Sequence, residues 1–349
     1  MQSPVPLIVS RRAERVEAIH YGSIAIADPA GRLLFGLGDV QLPTYVRSSN
    51  KMIQALPVIR SGAADRFGFT DEEIAVCCAS HSGARYHIDA VESMLAKIGL
   101  PQDALGCGPH EPADRTELAR LFCERESPTA VHNNCSGKHA GMLATCLAKG
   151  WPTDGYLSID HPLQQWILQL MSEHSGVPAS RIPIAVDGCS LPTFYLPISS
   201  IATSVARYLD NALNGDEASS RIVNAIAAHP EMIYEIGGFD TELIRTLGPR
   251  CIAKRGAMAV FVVALDTPAY GPIGITVKLE DGNIAPMPLV VIRVLEQLGV
   301  LSSTERAQLA PFTRGIIENY NAMHVGDLVA DFVVNRYAEA VTQLPPSAP

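Results

Sequence analysis

A serine and a lysine three residues apart are the first side chains in this sequence that suggest chemistry. The segment reads Ser48-Ser49-Asn50-Lys51, and no other lysine has a serine at this offset. A buried lysine can lose its proton and act as a base, whereas an arginine cannot. At the start of a helix, this spacing places the hydroxyl and the amine on one face, one turn apart. The pair therefore predicts a serine nucleophile, Ser48, with a lysine base, Lys51.

The same segment also has a plainer interpretation. Ser48 or Ser49 would then only cap a helix, and Lys51 would be a solvated residue of its first turn. The apolar run at 52–59 indicates that the helix is buried. A lysine in the first turn faces the positive end of the helix dipole, which disfavours its charged form. That position is poor for stability and suits a base.

Two further blocks favour the catalytic interpretation. Ser80-His81-Ser82 ends an apolar segment, and Lys254-Arg255-Gly256 precedes a predicted strand, where glycine permits close approach of a substrate. Ser-x-x-Lys, a polar serine block and Lys-x-Gly in this chain order are typical of β-lactamases and penicillin-recognising acyl transferases. Taken separately, the first block has a plainer interpretation as a serine-rich loop, and the second as an exposed lysine at a strand end. All three together favour one site.

Two cysteines on separate loops suggest a metal site. Cys135 lies in the polar segment 131–141, at a helix start, and Cys189 follows Asp187-Gly188 in a second tight loop. Two thiolates helped by a lysine, histidine or aspartate can bind zinc. The cysteines are far apart in sequence, unlike a Cys-x-x-Cys pair. Two unrelated buried thiols therefore stay open as the alternative.

Composition limits the possible partners and location. Hydrophobic residues make up 47% of the 349 and charged residues 18%, as in a compact soluble protein. A net charge of −9 argues against nucleic acid, because phosphate binding needs clustered lysine and arginine. No apolar run reaches the roughly 18 residues of a membrane span. The N-terminus lacks a basic region followed by a long apolar stretch, so we expect a cytoplasmic protein.

Strand patterns concentrate at the two ends of the chain and helical patterns fill its middle. The strands are predicted at 18–27, 33–38, 251–254, 258–265 and 273–280, and the helical middle at 49–230. This order predicts an α+β fold with a mainly antiparallel sheet formed from both ends, 1–45 and 250–285, and flanked by helices. We expect one catalytic unit over 1–342 and a frayed tail over 343–349.

Together these segments resemble the rhizobial-type, thermolabile and zinc-containing L-asparaginases. The resemblance is carried by 46–55, 78–83, 132–139, 186–189 and the Lys254-x-Gly block. It implies a fold similar to serine β-lactamases and glutaminases, and a homodimer. It also implies one Zn²⁺ per chain, held by Cys135, Lys138 and Cys189 with Asp187 close by.

The mechanism that follows is hydrolysis of L-asparagine to L-aspartate and ammonia. Lys51, neutral near a second cation such as Lys254, takes the proton from Ser48, which attacks the side-chain amide. Ser80 relays the proton to the leaving ammonia, and water resolves the ester. Backbone N–H groups of Ser48 and of the strand after Lys254 stabilise the oxyanion.

Four residues are expected to bind the substrate: Arg47, His139, Asn134 and Asp187, with either Arg47 or His139 reading its α-carboxylate. One departure from the family pattern is Met258-Ala259, where an acidic residue and a glycine are expected. A zinc-centred hydrolase using a metal-bound water and a catalytically silent amino-acid-binding protein stay open as alternatives.

Overall fold

A computed structural model of the protein describes residues 3–337. Its strands are β1 (Val5–Arg12), β2 (Arg15–Ala27), β3 (Leu33–Leu37), β4 (Pro43–Tyr45), β5 (Ile184–Val186), β6 (Pro192–Pro197), β7 (Cys251–Gly256), β8 (Val260–Thr267), β9 (Gly271–Leu279), β10 (Ile316–Glu318), β11 (His324–Val329) and β12 (Asn335–Arg336). Its helices are α1 (Lys51–Arg60), α2 (Ala63–Arg66), α3 (Asp71–Val76), α4 (Arg85–Ile98), α5 (Arg115–Glu124), α6 (Ser136–Lys149), α7 (Pro162–Ser175), α8 (Ile198–Leu213), α9 (Glu217–Ala228), α10 (Phe239–Leu247), α11 (Met287–Gln297) and α12 (Ser303–Leu309). Short 3₁₀ turns join several of these elements.

The main sheet combines strands from both ends of the chain. Its order is β10-β11-β1-β2-β9-β8-β7, with β3 also paired to β2 and β12 to β3, and every pair is antiparallel. The N-terminal strand β2 pairs directly with the C-terminal strand β9, from Gly22 opposite Leu279 to Ala27 opposite Gly274. The predicted α+β fold with a sheet from both chain ends is confirmed.

Helix α8 packs closely on the centre of this sheet. A Cβ atom at Gly274 would lie only 1.9 Å from the carbonyl oxygen of Ala202, so β9 needs a glycine where α8 crosses it. Ile201 and Val205 of α8 are fully buried, as are Ile273 and Ile275 of β9. The apolar contact between helix and sheet forms part of the main core.

Several predicted elements differ from the observed ones. The apolar run at 73–79 contains the last four residues of α3, which begins with a capping box between Thr70 and Glu73, and the turn that follows the helix. The C-terminal part of the sheet does not end at 285, because β10–β12 extend it. These strands are short and nearly all of their residues are exposed or half-buried, so their sequence lacks clear alternation.

Helix α10 and the small sheet β4-β6-β5 were also not predicted. The tail predicted over 343–349 lies outside the described residues, as do the last residues of the unit predicted over 1–342, which stays a prediction. In the part of the chain that the structure describes, no helix combines the length and apolar character needed to cross a membrane.

The turn between β7 and β8 explains the unusual Met258-Ala259 pair. The predicted strand start at Met258 is wrong, because β8 begins at Val260 and both preceding residues have left-handed backbone conformations, with φ of 62° and 54°. Glycine adopts such values freely, whereas other residues cost about 1–2 kcal/mol there. The departure from the expected acidic residue and glycine therefore places strain in this turn.

We expect Met258→Asn to raise the free energy of unfolding by about 1 kcal/mol, because asparagine tolerates the left-handed region better than methionine. The measurement is urea unfolding of the parent and the variant. Met323→Asn is the matched control, since both methionines are 59% exposed and Met323 has an ordinary φ. Equal stability of the parent and Met258→Asn would contradict the prediction.

Candidate active site

Ser48 lies in a single 3₁₀ turn, Arg47–Asn50, between β4 and α1. The turn is held by the N–H of Val46, which donates to Phe194 O of β6 at 2.9 Å, and by Ser49, whose hydroxyl donates to Val46 O at 2.6 Å. Ser48 is half-buried, and its hydroxyl makes no hydrogen bond to any described residue. Ser49 therefore has the structural role, and the Ser48 hydroxyl has no competing protein partner.

Lys51 opens helix α1 and is completely buried, so the interpretation as a solvated first-turn residue is wrong. Its Nζ atom donates to the backbone oxygens of Ala79 and Asn134, and lies 3.2 Å from both Ser80 Oγ and Cys135 Sγ. No contact with Ser48 is among these four. The predicted proton transfer between Ser48 and Lys51 stays a prediction.

Lys254 approaches Ser80 from the other side. Its Nζ atom lies 2.8 Å from Ser80 Oγ and donates to Arg255 O at 2.9 Å. The side chain is 1% exposed, so the interpretation as an exposed strand-end lysine is wrong. Burial lowers the pKa of Lys254 to about 7; the Asp240 carboxylate opposes this shift, and Lys51 contributes to it. One serine hydroxyl therefore lies between two buried amines, one of which is partly neutral near pH 7.

The end of β7 packs against the serine turn, backbone to backbone. A Cβ atom at Gly256 would lie 3.2 Å from Val46 O and 3.3 Å from Ser49 N. We expected this glycine to admit a substrate, but its first effect is to admit the turn that carries Ser48. The Lys-x-Gly block thus brings Lys254 and the backbone after it to the Ser48 side of the molecule.

The predicted metal ligands converge from two elements. Cys135 and Lys138 lie at the N-terminal end of α6, Cys189 follows β5, and all three are buried. Lys138 Nζ donates to Cys189 Sγ at 3.3 Å. The neighbouring Cys189 thiol, together with Lys51 and Lys138, holds the pKa of Cys135 well below its usual range.

The chemistry of this set fits a soft metal ion. Two thiols are ligands that zinc accepts, and the amine of Lys138 lies in hydrogen-bond contact with one of them. Over residues 3–337 no group of three histidine, cysteine or carboxylate side chains is arranged to hold a metal. The candidate set differs from such a group because its third member is a lysine.

Two predicted substrate-binding residues form an ion pair with each other. Arg47 Nε donates to Asp187 Oδ1 at 2.7 Å, and the same oxygen accepts from the N–H of Gly188. Arg47 has φ of 49°, a left-handed conformation that is unfavourable for arginine. The pair connects the turn of Ser48 to the loop that carries Cys189.

The other two predicted substrate-binding residues, His139 and Asn134, differ in burial and in their partners. His139 is fully buried, its Nδ1 lies 2.6 Å from the Tyr156 hydroxyl, and burial holds its pKa well below the usual range. Asn134 is half-buried, with Oδ1 3.1 Å from Cys135 Sγ. Contact of Arg47, His139, Asn134 and Asp187 with a substrate stays a prediction.

Comparison with known families decides the relationship. Residues 8–330 match the family described as L-asparaginase II. The chain belongs to the L-asparaginase II family. The predicted relationship to L-asparaginases is thereby confirmed. No curated protein matches this L-asparaginase II member.

Solved structures show more remote likenesses. Mglu in its native form is 16% identical, with a TM-score of 0.34 over 81% of this chain and 65% of Mglu, so this chain spans less than two thirds of that protein. A Bacillus glutaminase in the presence of 4.3 M NaCl is 12% identical, with a TM-score of 0.34 over 80% of this chain and 91% of the glutaminase. TM-scores of 0.34 are too low to support an argument from these structures. The fold class of this L-asparaginase II protein is therefore assigned from its own strand order.

Sequence reasoning missed three residues around β7. Asp240 of α10 is fully buried and accepts from both the backbone N–H and Nε of Arg255, at 2.9 and 2.8 Å. The guanidinium of Arg255 lies over the ring of Tyr234, 3.5 Å from its centroid. Asp240 and Tyr234 carry no motif, and only their contacts with Arg255 identify them.

We expect the Lys254 amine to titrate near pH 7, far below an ordinary lysine, because it is buried. The chain has six lysines, so NMR titration of ¹³Cε-labelled lysine resolves them, and Lys254→Arg assigns the signal. A Lys254 signal that titrates with the exposed lysines would contradict the buried, partly neutral amine.

Proposed function

We propose that the protein is an L-asparagine amidohydrolase that works through a serine acyl-enzyme. The observation that carries this proposal is the position of Ser80 Oγ, 3.2 Å from Lys51 Nζ and 2.8 Å from Lys254 Nζ, near the turn of Ser48. Membership of the L-asparaginase II family supports an amide as the substrate. The buried amines supply bases that a serine hydroxyl needs to become a nucleophile.

In the acylation step, Ser48 Oγ attacks the side-chain amide carbon of asparagine and gives its proton to the Lys51 amine, which passes a proton through Ser80 to the neutral form of the Lys254 amine. Lys51, Ser80 and Lys254 form a continuous path of hydrogen-bonding groups, so a proton can pass along it. Ser80 then delivers a proton to the departing nitrogen, and ammonia leaves as the C–N bond breaks. Water attacks the aspartyl ester, which frees L-aspartate and restores the Ser48 hydroxyl.

The oxyanion is proposed to be bound by two backbone N–H groups, one from Ser48 and one from the end of β7. The close packing of Gly256 on Val46 and Ser49 supports this arrangement, because it brings the two backbone segments together. Donors fixed by packing need no reorganisation when charge develops. A side chain at position 256 would separate the two segments.

Zinc is proposed as the cofactor, held by Cys135, Lys138 and Cys189 with Asp187 close by. When bound, zinc would supply a fixed positive charge that anchors an anionic group of the substrate or the loop around Cys189. Lys138 must be neutral to bind the metal, so affinity should weaken as pH falls. We also propose a homodimer and a cytoplasmic location, which rest on the family resemblance and on the sequence.

We expect the purified protein to release ammonia from L-asparagine at pH 8, and Ser48→Ala to lose at least about 10³-fold in kcat, because the nucleophile is gone. Ser204→Ala is the matched control, because Ser204 is a buried serine of α8 whose hydroxyl donates to one backbone oxygen, that of Ile201, and it should retain turnover. L-Glutamine assayed in parallel measures the amide preference. An enzyme-coupled ammonia assay gives the rate of each protein with each amide.

Each outcome of this assay separates the alternatives. Full activity of Ser48→Ala with loss in Ser80→Ala would move the nucleophile to Ser80. A small effect of both substitutions, with complete loss after chelation, would favour a metal-bound water. Binding of asparagine without ammonia release by the parent would favour a silent binding protein.

For the metal, we expect about one zinc per parent chain and a large loss of zinc in Cys189→Ser, because a hydroxyl is a poor replacement for a thiolate ligand. Elemental analysis after purification measures this independently of activity. Cys146→Ser is the control, because Cys146 is also buried but lies outside the candidate set. Equal zinc contents of the parent and Cys189→Ser would contradict the assignment. In a separate experiment, we expect chelation of the metal to weaken asparagine binding without abolishing turnover.

A further inference from the structure

The outer edge of β7 is held by a carboxylate instead of a strand. Among the strands of residues 3–337, β7 is the last of the main sheet and β8 is its one partner. Asp240, the second residue of α10, is fully buried against this edge. Its two oxygens accept from the backbone N–H of Arg255 at 2.9 Å and from Nε of Arg255 at 2.8 Å. One carboxylate therefore fixes both the backbone and the side chain of Arg255.

Arg255 transmits this constraint to the lysine beside it. The carbonyl oxygen of Arg255 accepts from Lys254 Nζ at 2.9 Å, and the same Nζ lies 2.8 Å from Ser80 Oγ. Arg255 thus donates two hydrogen bonds to Asp240, and its carbonyl oxygen accepts one from the Lys254 amine. Movement of the Arg255 backbone would move an acceptor of Lys254 Nζ.

The loop that carries Ser80 is also connected to Arg255. Arg255 lies over Tyr234, whose carbonyl oxygen accepts from the N–H of Ser82 at 3.1 Å. The preceding carbonyl, of Ile233, accepts from the N–H of Ser80 at 3.0 Å. The segment 233–234 therefore connects the loop of Ser80 to the guanidinium that Asp240 holds.

We propose that Asp240 is a positioning residue of this enzyme: its buried carboxylate holds Arg255, and through Arg255 it keeps the Lys254 amine on the Ser80 hydroxyl. This inference rests on the proposed amidohydrolase function. Asp240 touches neither Lys254 nor Ser80 by a hydrogen bond, so its effect passes through the carbonyl of Arg255 and the segment 233–234.

The charge of Asp240 gives its role a distinct signature. Burial lowers the pKa of Lys254 to about 7, and the charges of Lys51 and Arg255 contribute to this shift. Asp240 and Cys135 oppose it, because each raises the pKa. Removing the Asp240 charge leaves the lowering effects less opposed, so the pKa of Lys254 falls further. The neutral amine then persists to lower pH, and the acid limb of kcat/KM moves to lower pH. A residue that only stabilised the fold would not move this limb.

The experiment compares Asp240→Asn with the parent enzyme in ammonia release from L-asparagine across pH 5–9. We expect kcat to fall about 10- to 100-fold, as for a small misplacement of a reacting group, with KM within about twofold. We also expect the acid limb to move to lower pH. An unchanged kcat together with an unchanged limb would overturn the proposal.

Asp28→Asn is the matched control for the loss of such a carboxylate. Asp28 is also buried and accepts from the backbone N–H and Nε of one arginine, Arg32, at 2.9 and 2.7 Å, in the turn between β2 and β3. We expect Asp28→Asn to lose less thermal stability than Asp240→Asn, because the Arg32 side chain is 71% exposed and the Arg255 side chain 22%, and to keep the parental kcat and pH profile. Equal kinetic effects of the two substitutions would overturn a specific role of Asp240.

Two further measurements keep the test decisive. If the parent releases no ammonia, the proposed function fails, and the ¹³Cε-lysine NMR titration still tests Asp240: the Lys254 signal should titrate at lower pH in Asp240→Asn than in the parent. If Asp240→Asn does not fold, Asp240→Glu retains the charge with a longer side chain. That variant should lower kcat while keeping the parental acid limb, and parental kcat would overturn the proposal.

Discussion

Two lysine amines buried around one serine hydroxyl are the constraint on which the rest of the site depends. An unpaired buried ammonium is strongly unfavourable, so each amine must find acceptors or become neutral. Backbone carbonyls meet this need: Ala79 and Asn134 accept from Lys51, and Arg255 accepts from Lys254. These carbonyls belong to segments that are far apart in the sequence. The site therefore exists only if the whole fold holds those segments in place.

The antiparallel sheet from both chain ends meets this requirement. Lys51 follows the N-terminal strands, whereas Lys254 lies on β7, the first of the C-terminal strands, at one edge of the sheet. The pairing of β2 with β9 joins the two groups of strands in one sheet. Gly256 then lets β7 approach the serine turn without a side chain between them. A smaller contact surface between the two ends would leave the amines free to separate.

The sequence was sufficient to predict residues that carry a local signal. Ser48, Lys51, Ser80 and Lys254 lie in short motifs, and strand patterns at both ends predicted the fold class. Asp240 was not predicted, because its partner Arg255 lies on another element and no spacing connects them. The strands β10–β12 were missed because they are too short and exposed to show alternation.

His139 illustrates a further limit of sequence reasoning. It follows Lys138 directly and was expected to face the substrate. Adjacent helical residues are rotated by about 100°, so they cannot share one face. Lys138 turns towards Cys189, and His139 turns into the core against Tyr156. Neighbouring positions in a motif therefore predict a common helix, but not a common direction.

The candidate metal site and the lysine site share side chains. Cys135 Sγ lies 3.2 Å from Lys51 Nζ, so it belongs to the surroundings of a proposed base as well as to the metal set. Arg47 and Asp187 add a second connection, between the serine turn and the loop of Cys189. A substitution of Cys135 would change both sites at once and identify neither role. Cys189 makes no hydrogen bond to Lys51 or Lys254 among the described contacts, and its nearest charged partner is Lys138. Loss of the Cys189 thiol therefore removes a proposed metal ligand without removing a hydrogen-bond partner of Lys51 or Lys254.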